Sequence, residues 1–155
     1  MQNDLSQLSG NGLPKGRTSW MLAVNPQTGP DVLSALVENG AASLLVRIAE
    51  HPRVSVETLC VLAKHDDPEV RSAVAENSLT PAHVLQTLAN DDNADVRYML
   101  AESPHTPLFI LEALCEDGNP YVGSRASTTI RRVTLTQTTP REIAPYWSQA
   151  KQSFG

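Results

Sequence analysis

The feature that most constrains this chain is a pattern that returns every 26 residues. One column reads Leu33, Leu59, Leu85, Leu111, and a second, three residues on, reads Leu36, Leu62, Leu88, Leu114. Further columns are Ala23, Ala49, Ala75, Ala101; Asn25, His51, Asn77, Ser103; and Thr28, Val54, Thr80, Thr106. Recurrence at one fixed offset is the signature of stacked structural units, each unable to bury its apolar face alone. Four units follow, 18–43, 44–69, 70–95 and 96–121. Residues 1–17 lack an apolar period and read as a flexible lead-in, and 122–155 as a partial fifth unit with a basic C-terminal cap.

Each unit divides into two short helices. In the third, Val70, Ala73, Val74 and Asn77 stand at i, i+3, i+4, i+7, one face of a helix of about two turns. Thr80-Pro81 then opens a second helix, the Thr side chain capping an orphan N–H and the Pro standing at the first helical position. Val84, Leu85 and Leu88 form its buried stripe. Neither helix reaches the roughly 12–15 residues needed for independent stability, so stacking must supply it. The expected class is all-α. At the front, Trp20 and Met21 are expected to cover the edge of the array. At the back, a short helix from Val122 gives way to inserted residues and then to a last helix after Thr139-Pro140, interrupted at Pro145.

The strings D-P-E-V-R-S-A-V-A-E-N-S-L-T-P-A-H-V-L-Q-T-L-A-N-D (67–91) and N-A-D-V-R-Y-M-L-A-E-S-P-H-T-P-L-F-I-L-E-A-L-C-E-D (93–117) resemble the leucine-rich repeat variant motif, a relative of HEAT-like helical repeats. That resemblance implies a right-handed α-solenoid: an inner layer of short, partly 3₁₀ helices and an outer layer of longer α-helices. One member of that family carries an iron-sulfur domain. Cys60 and Cys115 are the only cysteines here, too few and too far apart for a cluster or a zinc site, so no cofactor or metal is expected.

Charge is divided along the chain. Through Tyr121 there are 7 Lys/Arg against 16 Asp/Glu, a balance of −9, and from Val122 onward 5 against 1, or +4. So acidic a body repels phosphate backbones, and nucleic acid is not the expected partner. No signal-peptide pattern and no run of roughly 18 apolar residues is present, which points to the cytoplasm and to no membrane partner. No catalytic constellation or Gly-rich phosphate loop occurs, so no enzyme is expected. Arg71 and Arg97, close behind Asp67 and Asp92, read as a ladder of charge-assisted hydrogen bonds between adjacent turns. His51 stands in the Asn77 column and His65 in the Asp91 column, both structural places, while His83 and His105 should be exposed.

The expected function is a scaffold for a protein or peptide, with a basic partner favoured. On the first helices Trp20, Val46, Ser72 and Tyr98 form one column, and Val24, Glu50, Glu76 and Glu102, four residues later, share its face. With those helices inside, Glu50, Glu76 and Glu102 line a concave groove with Trp20 and Tyr98 as apolar anchors. Asp31, Glu57, His83 and Phe109, an outer column, make a second surface to consider. The basic tail, with Arg125, Arg131, Arg132, Arg141 and Lys151, suggests salt-sensitive self-association. The alternative is nucleic-acid binding as in the HEAT-like alkylpurine DNA glycosylases, with Trp20, Arg97 and Tyr98 at the site. The acidic body lacks the stripe of Lys and Arg that this requires.

Overall fold

The computed structural model describes residues 16–38 and 40–137, and among these every regular element is a helix. They are α1 (Arg17–Val24), α2 (Pro30–Val37), α3 (Ala42–Ala49), α4 (Val56–Leu62), α5 (Pro68–Glu76), α6 (Ala82–Leu88), α7 (Ala94–Glu102), α8 (Leu108–Leu114) and α9 (Pro120–Gln137). The odd-numbered helices pack in succession, α1 on α3, α3 on α5, α5 on α7 and α7 on α9. Of the even-numbered helices, α2, α4, α6 and α8 each lie against the odd-numbered helix that follows. α2, α4, α6 and α8 begin at 30, 56, 82 and 108, and α3, α5, α7 and α9 at 42, 68, 94 and 120, so both series advance by 26.

Both Leu columns are buried: Leu33, Leu36, Leu59, Leu62, Leu85, Leu88, Leu111 and Leu114 are all at most 4% exposed. So is the Ala column, with Ala23, Ala49, Ala75 and Ala101 at 2% or less. A methyl is what fits where successive odd helices approach, and a larger side chain would have to displace its neighbours.

Capping chemistry sets the helix boundaries, and here several expectations need correction. The first helix starts two residues before the sequence unit does in the second, third and fourth units, and one residue before it in the first. Asp67 caps α5 through Glu69 N, and Asn93 caps α7 through Asp95 N. Pro68 at the first turn of α5 loses no useful donor. The second helix starts late, with Pro81 and Pro107 as the capping residues of α6 and α8. As a result α1, α3, α5 and α7 run to 8 or 9 residues and α2, α4, α6 and α8 to 7 or 8. The expected 3₁₀ inner layer is absent among the described residues, and the relative lengths are the reverse of those implied.

Thr80 and Thr106 do not cap the helices after them. Their hydroxyls donate backward, Thr80 to Val74 O at 2.6 Å and Thr106 to Leu100 O at 2.8 Å, and Thr28 does the same to Leu22 O at 2.7 Å. Each bonds a carbonyl in the last turn of the preceding helix, where Val74 O and Leu22 O also accept the backbone N–H of Asn77 and Asn25. Val54 fills the same buried place with an apolar side chain.

The C-terminal end also departs from expectation. α9 is one unbroken helix of 18 residues, not a short helix followed by an insertion. Val122, Ala126 and Thr129 lie buried at i, i+4, i+7, so the apolar stripe continues past the repeat and holds the helix against both α7 and α8. At the front, α1 starts at Arg17, and Trp20 and Met21 are 40% and 63% exposed. The lead-in up to residue 15 and the segment with Thr139, Pro140, Arg141, Ile143, Pro145, Tyr146, Trp147 and Lys151 lie outside the described residues.

Candidate functional site: an acidic groove over three helices

Two hydrogen-bonded ladders hold the odd helices in register and thereby place the groove. In the first, Arg71 binds the Asp91 carboxylate through Nε and Nη2 at 2.7 and 2.9 Å, and donates from Nη1 to the His65 and Asp66 carbonyls at 2.8 Å. Arg97 repeats this one unit on, binding Asp117 at 2.7 and 3.0 Å and donating to Asp91 O at 2.7 Å. Asp91 thus joins both rungs. The expected ladder exists, but the carboxylates come from the following turn rather than from Asp67 or Asp92. Each guanidinium fork matches its carboxylate with two bonds. The Arg71 guanidinium holds Asp91 below the ordinary carboxylate value, and the Arg97 guanidinium does so for Asp117, in both cases against an opposing effect of burial.

The second ladder runs through the Asn25 column. Asn77 Nδ2 donates to Ala49 O while its Oδ1 accepts from Leu79 N at 2.8 Å. His51 reproduces this arrangement with a ring: Nε2 donates to Asn25 O at 2.9 Å and Nδ1 accepts from Arg53 N at 3.1 Å. His65, in the Asp91 column, likewise accepts from Asp67 N at 3.0 Å. Both imidazoles are therefore occupied by structure, and His83 and His105 are exposed.

With the register set, Val46, Ser72, Glu50 and Glu76 fall on one surface over α3, α5 and α7. A groove of about 310 Å³ there is lined by Val46, Ser72, Ala73 and Met99 on its floor and by Glu50, Glu69, Glu76 and Asp95 around it, with Pro68 at one side. Its lining holds four carboxylates and no Lys, Arg or His. A second hollow of about 350 Å³ continues it toward the turns, past Pro52, Asn77, Ser78, Leu79 and His105. Glu50, Ala73 and Glu76 line both. Partial burial pushes the Glu76 carboxyl above its ordinary value of 4.5, and the charges of Glu50 and Glu102 push it the same way. All three glutamates thus belong to one electrostatic neighbourhood.

The two aromatics do not serve as free anchors. Arg47 lies over the Trp20 ring at 5.8 Å and pairs with Glu50 at 2.8 Å. Arg125 lies over Tyr98 at 5.3 Å, donates to its hydroxyl from Nε and Nη2 at 2.9 and 2.6 Å, and sits 3.5 Å from Glu102. Trp20 and Tyr98 line neither groove. Arg132 also turns inward, donating from Nη2 to Glu102 O at 3.0 Å. Part of the basic tail is thus spent on α7. The sequence reading missed Pro68, Glu69, Ala73, Asp95 and Met99 in the groove, as well as Arg47 over Trp20, and it placed Arg125 in the basic tail rather than over Tyr98. The signal for the two arginines was available, since each stands 27 residues after an aromatic in the Trp20 column.

The outer column, Asp31, Glu57, His83 and Phe109, is exposed throughout. No group of three or more His, Cys, Asp or Glu among the described residues is arranged to hold a metal, and no described helix is long and apolar enough to cross a membrane. No protein-family model matches the chain, and neither curated proteins nor solved structures yield a match.

Proposed function

We propose that this chain is a cytoplasmic, non-enzymatic interaction scaffold: a right-handed α-solenoid of 26-residue, two-helix units of the leucine-rich repeat variant kind. Its partner is a protein or peptide segment with basic character. The observation that carries this reading is the groove over α3, α5 and α7, with an apolar floor, four surrounding carboxylates and no cation of the chain among its lining residues. Such a surface draws a cationic segment by long-range attraction and offers area for its apolar parts. The equal advance of helix starts supports the solenoid, and so do the Arg71 and Arg97 rungs, which repeat the same bonds in two successive units. The same carboxylates oppose the nucleic-acid alternative.

The test replaces Glu50, Glu76 and Glu102 together by Gln. All three lie toward the surface, so each change should alter stability by no more than about 0.5 kcal/mol. Partner capture from native extract should fall sharply and lose its dependence on salt. Equal capture by the triple variant and the parent would move the binding site elsewhere, with the outer column around Phe109 next in line.

A further inference from the structure

The chain completes a cation pattern at both ends of this surface and leaves it open in the middle. Arg47, Ala73, Met99 and Arg125 occupy one column at the 26-residue spacing. Arg47 lies on an aromatic ring from the preceding unit and against Glu50, three residues on in its own helix run, whereas Arg125 lies on Tyr98 and beside Glu102, both in the preceding unit. In the two middle units the ring positions carry Val46 and Ser72 and the cation positions carry Ala73 and Met99, but the glutamate remains as Glu76. Among the described residues Glu76 makes no salt bridge. Ala73 is short and only 4% exposed, and it lines both hollows together with Glu50 and Glu76.

We propose that this gap receives an arginine side chain from an extended peptide segment of the partner, its methylene stem on Met99 beside Ala73 and its guanidinium between Glu76 and the Oε1 side of Glu50, whose Oε2 pairs with Arg47. The proposal rests on the groove being the partner site and names what enters it. Arginine is chosen over lysine because the planar fork can meet two carboxylates at once, and because both built-in examples on this surface are guanidiniums. An arginine stem also covers an apolar floor while its head stays at the rim.

The probe is an acetylated, amidated peptide, Gly-Ala-Arg-Ala-Gly, titrated into the full chain with methyl-labelled Val46 and Met99 observed by NMR. The Arg peptide should move both methyls. The citrulline peptide, equal in shape but uncharged, should bind about tenfold more weakly, and the Lys peptide should fall between them. Met99→Arg supplies the missing group internally, since 99 follows 76 by the same 23 residues by which 125 follows 102. That variant should leave the peptide without a site, with Val46 as the reporter. Should it fail to fold, Glu76→Gln serves instead and should weaken the Arg peptide to the citrulline level. Equal binding of Arg and citrulline peptides, Lys binding as tight as Arg, or Arg-peptide shifts that persist in Met99→Arg or Glu76→Gln would overturn the assignment. If the triple Gln variant loses extract capture while the Arg peptide moves no methyl, the arginine inference falls and the groove stands. If capture also survives, both fall.

Discussion

The turns before α3 and before α7 solve one problem with different chemistry. Before α7, Arg97 takes the carbonyls of Asp91 and Asp92 and the carboxylate of Asp117, so the turn is held by a polar network. Before α3, the Arg column carries Leu45, buried at 3%, and the turn is closed by packing. Gly40 makes that possible: a Cβ there would come 2.6 Å from Leu45 Cδ2 and 3.0 Å from Leu36 O. The repeat therefore specifies a backbone path, and either a guanidinium or a tightly seated leucine can fill the space under it. The two fillings should differ in their response to salt-bridge removal and to acid while sharing the Leu columns.

The largest effect should be common to both regions. Leu33→Ala at the front and Leu85→Ala in the centre each leave a cavity and should cost about 2–5 kcal/mol in denaturant unfolding. A loss confined to one of them would mean that the two regions do not share a continuous core. The next separates the regions. Asp117→Ala removes two charge-assisted bonds from a half-buried arginine and should cost about 1.5–3 kcal/mol, whereas Glu38→Ala in the front half, exposed and outside any such pair, should change little.

A third variant tests the far end of the same column, where neither solution is used. Gly123 replaces the arginine because α9 runs close to the end of α8, and a Cβ there would lie 2.8 Å from Cys115 O. Gly123→Ala should cost about 1–3 kcal/mol by forcing α9 away. A neutral result would show that α9 can shift without penalty.

The smallest effect is in pH, and its sign differs between groups. Asp91 and Asp117 have lowered folded values, so their contribution is present above 3.8 and is lost as pH falls further. Glu76 has a raised value, so its contribution is present at low pH and is lost as pH rises through its folded midpoint, above 4.5. Thermal melts should therefore show slight stabilisation on acidification toward 4.5 and a drop below 3.8, with the drop reduced in a double Asp91→Asn, Asp117→Asn variant. An undiminished drop would place the acid-sensitive groups outside the ladder.

How much of this could be read from the residues depends on the range of each interaction. The Leu and Ala columns were legible because burial acts on every unit alike, so identical side chains recur at identical spacing. The Arg ladder was legible in kind. Its partner was not, because Asp67 and Asp92 are nearer in sequence to Arg71 and Arg97 than Asp91 and Asp117 are, and only the stacking distance between turns decides. The role of Thr80 was misread because a hydroxyl before a proline suits a cap, while the carbonyl it bonds lies six residues back. α9 was misread because extra residues beyond a repeat look like an insertion when they merely extend a helix. Of the three glutamates in register, Glu50 and Glu76 line the groove and Glu102 does not, while Glu69 and Asp95, in the first turns of α5 and α7, line it without belonging to that column. Arg47 over Trp20 and Arg125 over Tyr98 were not sought, because they pair across units, one residue beyond the period.

The claim with most riding on it is that Glu76 sits uncompensated between Glu50 and Glu102 in a partly desolvated groove. Its side-chain carboxyl can be titrated directly by carbon-detected NMR on the full chain. The midpoint should lie above 4.5 and should move back toward it when Glu50 and Glu102 are both replaced by Gln. A midpoint at or below 4.5 in the parent chain would mean that a cation already occupies the gap or that the three carboxylates do not share a surface, and the acidic groove would not exist as described.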